Sequence, residues 1–398
     1  MVDHQKYLNK SSCAYCGDAH VNHVFLYITG LISNIMDPSL SWLGRHTPRF
    51  LSRIAEGILH LMLLIMLLLR LAKFSDDIEK ACSLRSKIVW EEAKKRGIHP
   101  EQLLILGKPT EHMRAKIDGK FFYYDSLPIP NKFVDSNNTD WDDKYILKTR
   151  FENAGIPIPR FAEIPIFSKS KIKKLYEKFE KPLIVKPALG SRGRHTTTNI
   201  ADFESFNKAI SVGRTISPFL VVEEHLHGYV CRATLVGGKL AGFYRAEPPV
   251  VIGDGKKNIA ELILERDATR PDRVSKIEMT QEISEHMRRQ GFDLAHVLPK
   301  DQKIALTHRT GRLFGGRTRE MYNELHPSFV PILEKAAKLT KLPILGFDCI
   351  VIDPEKPQDT QRWGIIECNT LPFIDLHYFA LEGKPQNIAG MIWDLWKK

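Results

Sequence analysis

The most apolar part of the chain comes early. Residues 52–73 contain LHLMLLIMLLLRLA, in which 61–69 is unbroken and His60 and Arg70 stand at its ends. The run falls well short of the roughly 20 apolar residues that a membrane-spanning helix needs. It is apolar on every face, so something must cover it. The pattern predicts a buried or oligomer-forming helix, with membrane-surface attachment through residues 57–72 as the second reading. From Asp76 the chain turns amphipathic, and DDIEKACSLRSKIVWEEAKKRG predicts a helix with Gly97 as its C-cap. Short apolar alternations follow, LLILG at 103–107 and AKIDGKFFYYDSLP at 115–128, the second carrying an Asp118-Gly119 hairpin turn. Pro128, Pro130 and the Asn/Asp/Ser run at 135–140 break the pattern. This organisation predicts a helical N-terminal region over 1–75, a small α/β domain over 76–140 and a larger domain over 141–398.

Within the larger part, Asp142-Asp143-Lys144 opens an amphipathic helix that ends at Gly155 before IPIP. The acidic pair suits the helix N-terminus and the Gly–Pro exit suits its C-terminus. A helix over 169–180 precedes the stretch KPLIVKPALGSRGRHTTTN (181–199). There a short β-type run ends at Lys186-Pro187. Gly190, Ser191 and Gly193 make a turn whose backbone N–H groups can approach phosphate oxygens, with Lys186, Arg192 and Arg194 adding positive charge. A further helix starts at Asp202. The strand 219–224 ends in Glu223 and Glu224 and runs into His225-Leu226-His227-Gly228. It reads either as an adenine slot or as an edge strand with solvated glutamates. Near the end, WGIIECN (363–369) sets Glu367 and Asn369 two residues apart on one strand face. Oxygen ligands of this kind suit Mg²⁺ bridging nucleotide phosphates.

Composition narrows the partners. Of 398 residues, 43% are hydrophobic and 26% charged, ordinary values for a globular chain long enough for two or three cores. The net charge of +11 favours an anionic partner. The basic residues are spread out, without a block interleaved with base-stacking aromatics, so a nucleotide or acidic small molecule is expected and nucleic acid is not. The six cysteines, at 13, 16, 82, 231, 349 and 368, do not form the dense framework of a secreted domain. No signal peptide is evident in MVDHQKYLNKSSC, and a reducing cytoplasmic setting is expected. Cys13 and Cys16, with His20 and His23 behind them, stay open between a metal site, a redox role and no role. Their spacing is too compact for a common zinc finger.

The order DDK…GIPIP, IVKPALGSRG, VVEEHLHG, GFDCIVID and IIECNTLPFIDLH resembles the ATP-grasp superfamily. RAEPPVVIGDGKKNIAELI (245–263), FGGRTREMYNELHP (314–327) and the ending EGKPQNIAGMIWDLW are similar to the ATP-grasp domain of cyanophycin synthetases and of bifunctional glutathione synthetases. The resemblance implies an α+β fold whose two subdomains clamp ATP, with a lid at about 150–225 and a core at about 226–398. It implies ATP and Mg²⁺ as cofactors. Lys144 and Lys186 would contact phosphates. Glu223, Glu224 and the backbone of His225 and Leu226 would hold adenine, and Asp348, Glu367 and Asn369 would bind Mg²⁺. Arg232 and Arg245 would face an acyl phosphate or substrate carboxylate. The implied activity is ATP-dependent ligation of a small-molecule carboxylate to an amine through an acyl phosphate. Two alternatives stand beside it, a non-catalytic nucleotide-binding module and a ligase with a macromolecular acceptor. The chain departs from the family pattern at Val230, where an acidic residue is usual, at His195 in the phosphate loop, at RLFGG (312–316), and at Phe373 and Ile374. The last two departures bear on the substrate, which is expected to differ from that of cyanophycin synthetase.

Overall fold

The computed structural model describes residues 13, 15–16, 21–28, 61–130, 133, 140–166, 168–190 and 193–397. Strands β1 (Ala72–Ser75), β2 (Glu101–Ile105), β3 (Lys108–Ile117) and β4 (Lys120–Asp125) form an antiparallel sheet in that order. The β3–β4 hairpin turns at Asp118 and Gly119, with φ of 49° and 79°, as a two-residue loop requires. The sheet begins at Ala72, inside what the sequence assigns to the N-terminal region, because the apolar run masks the start of the strand. The helix Leu84–Lys95 is capped by the Ser83 side chain and followed by Gly97 at φ 69°. It starts later than the predicted one, since residues 78–80 form a separate 3-10 turn. Residues 61–68 are helical, but five of the eight side chains are exposed, Leu68 at 82% and Leu61 and Met62 at 56% each. Among the described residues nothing buries this helix fully; residues 52–60 lie outside the described residues. Among the described residues no helix is long and apolar enough to cross a membrane.

A second antiparallel sheet holds β5 (Phe161–Glu163), β6 (Leu183–Pro187), β7 (Thr197–Ile200) and β8 (Leu220–Glu224), in the order β5-β8-β6-β7. Strand alternation divides its residues between two faces. Leu183, Val185, Leu220 and Val222 form a core with Ile172 and Phe206, which come from the helices Lys169–Lys178 and Phe203–Arg214. Lys186 and Glu223 take the opposite face, since Ile184 pairs with Glu223 and Lys186 with Val221.

The remaining strands are β9 (Tyr229–Val236), β10 (Lys239–Ala246), β11 (Val250–Ile252), β12 (Lys303–Ala305), β13 (Thr318–Glu320), β14 (Ile344–Val351) and β15 (Gly364–Asn369). β11 pairs with β12, and the others form an antiparallel sheet in the order β13-β10-β9-β14-β15. One face of that sheet buries Cys231, Ala233, Phe243, Phe347 and Cys349 with residues of the helices Lys144–Asn153 and Phe329–Thr340. The other face is apolar at one end, where Val236, Ala241 and Ile344 pack with residues of the helices Leu84–Lys95 and Ile388–Asp394. That contact docks the first sheet's helix onto the large sheet. Toward the other end the same face carries Thr234, Arg232, Asp348, Glu367 and Asn369. The change from apolar to polar within one sheet face marks the site.

Candidate functional site

The helix Lys144–Asn153 starts where the Asp143 carboxylate accepts from the N–H groups of Tyr145 (2.8 Å) and Ile146 (2.9 Å). Its buried stripe is Lys144, Leu147, Lys148 and Phe151, so two lysines sit among apolar residues at i, i+4 spacing. Lys144 donates through Nζ to the Gly190 carbonyl at 2.7 Å, and the same Nζ lies 3.6 Å from Glu367 Oε1. One side chain thus joins the loop after β6 to the end of β15. Lys148 Nζ donates to the Ile366 carbonyl at 2.9 Å and lies 2.8 Å from Glu223 Oε1. Lys186 Nζ lies 2.8 Å from the same carboxylate oxygen.

Of these five side chains, Lys144, Lys148, Lys186 and Glu223 are buried and Glu367 is half-buried. Burial pushes Lys148 down to about 7, the neighbouring Lys186 and Lys144 push it the same way, and Glu223 opposes them. Burial works to raise the Glu223 carboxyl, but the charges of Lys148 and Lys186 outweigh it and hold the group below its ordinary range. A single buried carboxylate faces two ammonium groups here, with a third close by. The uncompensated positive charge in a dry site is what a polyanion would neutralise.

Across the cleft, Asp348 pairs in register with Glu367 on β15 and with Arg232 on β9. Arg232 grips Asp348 in a two-pronged ion pair, Nε to Oδ1 at 2.6 Å and Nη2 to Oδ2 at 2.8 Å. Burial would lower the guanidinium's pKa, and the charge of Asp348 reverses that and holds it above its ordinary value. Asn369 donates its side-chain N–H to Asp348 Oδ2 at 3.3 Å, which ties all three oxygen-bearing side chains into one patch. Two carboxylates and an amide oxygen on one sheet face form a hard donor set, so these residues fit Mg²⁺. Beside them lies a buried network. Thr234 Oγ1 is 2.7 Å from His377 Nε2, and His377 Nδ1 is 2.5 Å from Glu320. A Cβ on Gly242 would stand 2.5 Å from His377 Nδ1, so the histidine's seat needs a residue without a side chain.

The structure brings Lys144, Lys186, Gly190, Glu223, Asp348, Glu367, Asn369 and Arg232 into one region. Gly190 and Gly193 adopt φ of 130° and 64°, which suits a tight loop; Ser191 and Arg192 lie outside the described residues. Other expectations need correction. The Glu223 carboxylate is the counter-ion of two lysines rather than a reader of a base edge. Glu224 faces the other way and pairs with Arg362 at 2.7 Å, while accepting from the Arg160 backbone at 3.0 Å. The His225 N–H donates to the Pro182 carbonyl at 3.3 Å, and Leu226 is buried. Arg245 does not join the site. It sits opposite Cys231 on β9, hence on the face opposite Arg232, where it pairs with Glu247 at 2.7 Å and covers the Tyr229 ring. Sequence reasoning missed Lys148 and His377. The signal for Lys148 was present, a lysine about one helical turn after Lys144 inside an apolar stripe.

No family model matches the chain. It is 31% identical over 261 residues to the cyanophycin synthetase of Synechocystis sp., covering 64% of this chain and 30% of that protein. It is 24% identical over 326 residues to the glutathione biosynthesis bifunctional protein of Mannheimia succiniciproducens, covering 78% of this chain and 42% of that protein. The chain thus spans less than half the length of these curated relatives. Its fold is similar to that of a bifunctional glutathione synthetase from Pasteurella multocida, with a TM-score of 0.56 and 22% identity over 80% of this chain and 44% of that one.

Proposed function

We propose, from the premise that this is an ATP-grasp protein related to cyanophycin synthetases and bifunctional glutathione synthetases, that the chain is an ATP-dependent carboxylate–amine ligase. The observation that carries the reading is the reach of Lys144 from the Gly190 carbonyl to Glu367, which ties a phosphate-type loop to an acidic patch. Lys144, Lys186 and the backbone after β6 would hold the ATP phosphates; with the His225 N–H taken by Pro182, the His225 carbonyl and the Leu226 backbone would meet adenine. Asp348, Glu367 and Asn369 would hold Mg²⁺, which when bound neutralises charge on the transferring phosphoryl group. The γ-phosphoryl passes to an oxygen of a substrate carboxylate and ADP leaves. An amine then attacks the acyl carbon, the C–N bond forms, and phosphate departs with the former carboxylate oxygen. Arg232, on the same sheet face as the acidic patch, is suited to the substrate carboxylate. No side-chain nucleophile is needed; catalysis is positioning and electrostatics. The substrates are small-molecule acids and amines, in a reducing cytoplasmic setting.

The test is ADP release with Mg²⁺-ATP against pooled acids and amines, with mass detection of a condensed product and Glu367→Gln as control. A pool that raises ADP release and yields a condensed mass supports the ligase. Mg²⁺-ATP binding with silence in every pool supports a second reading, a nucleotide-binding module, which the two-pronged hold of Arg232 on Asp348 favours.

A further inference from the structure

We propose that Cys13, Cys16, His23 and His195 form a structural Zn²⁺ site that clamps the N-terminal segment onto the loop following β6. The four side chains offer ligand atoms that all lie within 4.8 Å of one another, and each residue is buried or half-buried. Cys16 Sγ lies 3.0 Å from His23 Nε2 and 3.5 Å from His195 Nε2, while Cys13 Sγ lies 3.7 Å from His195 Nε2. A zinc tetrahedron with bonds of about 2.3 Å to sulfur and about 2.0 Å to nitrogen has S···N edges of roughly 3.5 Å. These three S···N separations are close to the edges of such a shell.

The chemistry of His195 points the same way. Its Nδ1 is 2.9 Å from the Val212 carbonyl and 2.8 Å from Thr215 Oγ1. A carbonyl can only accept, so Nδ1 carries the hydrogen and Nε2 turns its lone pair toward the two sulfurs. Metal-binding histidines are commonly oriented by such a bond from the other ring nitrogen. The knuckle also grips the loop through its backbone. The His195 N–H donates to the Tyr15 carbonyl at 3.1 Å, and Arg194 Nε donates to the Cys16 carbonyl at 3.2 Å. His195 is held at φ 51°, an uncommon backbone for a residue with a side chain. Two thiolates with two imidazoles favour zinc over the hard cations suited to the acidic patch. The site also accounts for the histidine at the end of the phosphate-type loop. The residue faces the N-terminal segment. The fourth ligand lies 182 residues beyond Cys13, so no local spacing reveals it.

The test uses the full chain, purified under reducing conditions and dialysed against metal-free buffer. Elemental analysis should find one zinc per chain. After stripping with a chelator, added Co²⁺ should give the intense visible absorption of a tetrahedral centre together with a thiolate charge-transfer band. Cys13→Ser, at a half-buried position, should lower zinc affinity at least tenfold. His195→Cys should keep a stoichiometric metal, because Cys₃His is equally a tetrahedral zinc set. Stoichiometric zinc held at undiminished affinity by Cys13→Ser, an absent tetrahedral cobalt spectrum in folded chain, or a Cys13–Cys16 disulfide in the fresh protein would each overturn the proposal. Weaker ATP binding on stripping rests on the nucleotide reading above. Metal content does not, so the two can fail separately.

Discussion

Replacing Glu223 with Gln isolates the electrostatics of the cleft. The carboxylate is 1% exposed and lies 2.8 Å from both Lys148 and Lys186, so the variant leaves two ammonium groups beside a neutral amide. Breaking a buried pair by removing one partner costs about 3–5 kcal/mol, because the charge left behind is uncompensated. At about 1.4 kcal/mol per tenfold, that predicts amide exchange in β6 and β8 faster by roughly 10² to 10³ or more. The pH dependence has a definite sign. Lys148 is depressed to about 7 in the folded chain from its ordinary value of 10.5, so between those values the unfolded chain binds the extra proton. Raising pH through that window favours the folded state of parent and variant alike. Without Glu223 to oppose burial, the variant's Lys148 gives up its proton at lower pH than the parent's, so the deficit should shrink as pH rises toward 7 and stay level above it. Adding Lys148→Met removes one of the stranded charges and should recover at least half of the loss. A Glu223→Gln variant within about 1 kcal/mol of the parent at pH 7, or a deficit that grows with pH, would refute the reasoning.

Gly242→Ala should destabilise the chain by about 1–3 kcal/mol, because its Cβ would meet a His377 ring that Thr234 and Glu320 hold in place. A lowered urea midpoint at unchanged slope checks this, and an unchanged midpoint contradicts it. Arg245→Ala should leave ATP turnover within a few-fold of the parent, since the side chain stands on the far face from Asp348. A hundredfold loss would return it to the site. Arg232→Met should cost about 3–5 kcal/mol by stranding the Asp348 carboxylate, read as a lowered unfolding midpoint at pH 7.

Much of this site was legible in the sequence because its determinants are local. Strand alternation puts Glu367 and Asn369 on one face, and a capped helix fixes Lys144 at its first turn. A Gly-rich loop after an apolar strand announces backbone that must bend. What escaped depends on register or on distance. Whether Arg232 or Arg245 faces Asp348 is decided by how β9 pairs with β10 and β14, and a shift of one residue would exchange them. Glu223 read as a solvated or base-reading carboxylate because its two lysines come from a different helix and a different strand. The apolar run at 61–69 predicts a covered helix by composition alone, and only the fold shows that the described residues leave much of 61–68 exposed. His195 looked like an eccentric loop residue until the fold brought Cys13, Cys16 and His23 to it.

The most direct test of the account follows the oxygen. With the productive acid labelled by ¹⁸O in its carboxylate, the phosphate released alongside ADP and the condensed product should carry one label, since the acyl phosphate passes that oxygen on. Unlabelled phosphate, or release of AMP and pyrophosphate in place of ADP, would contradict it.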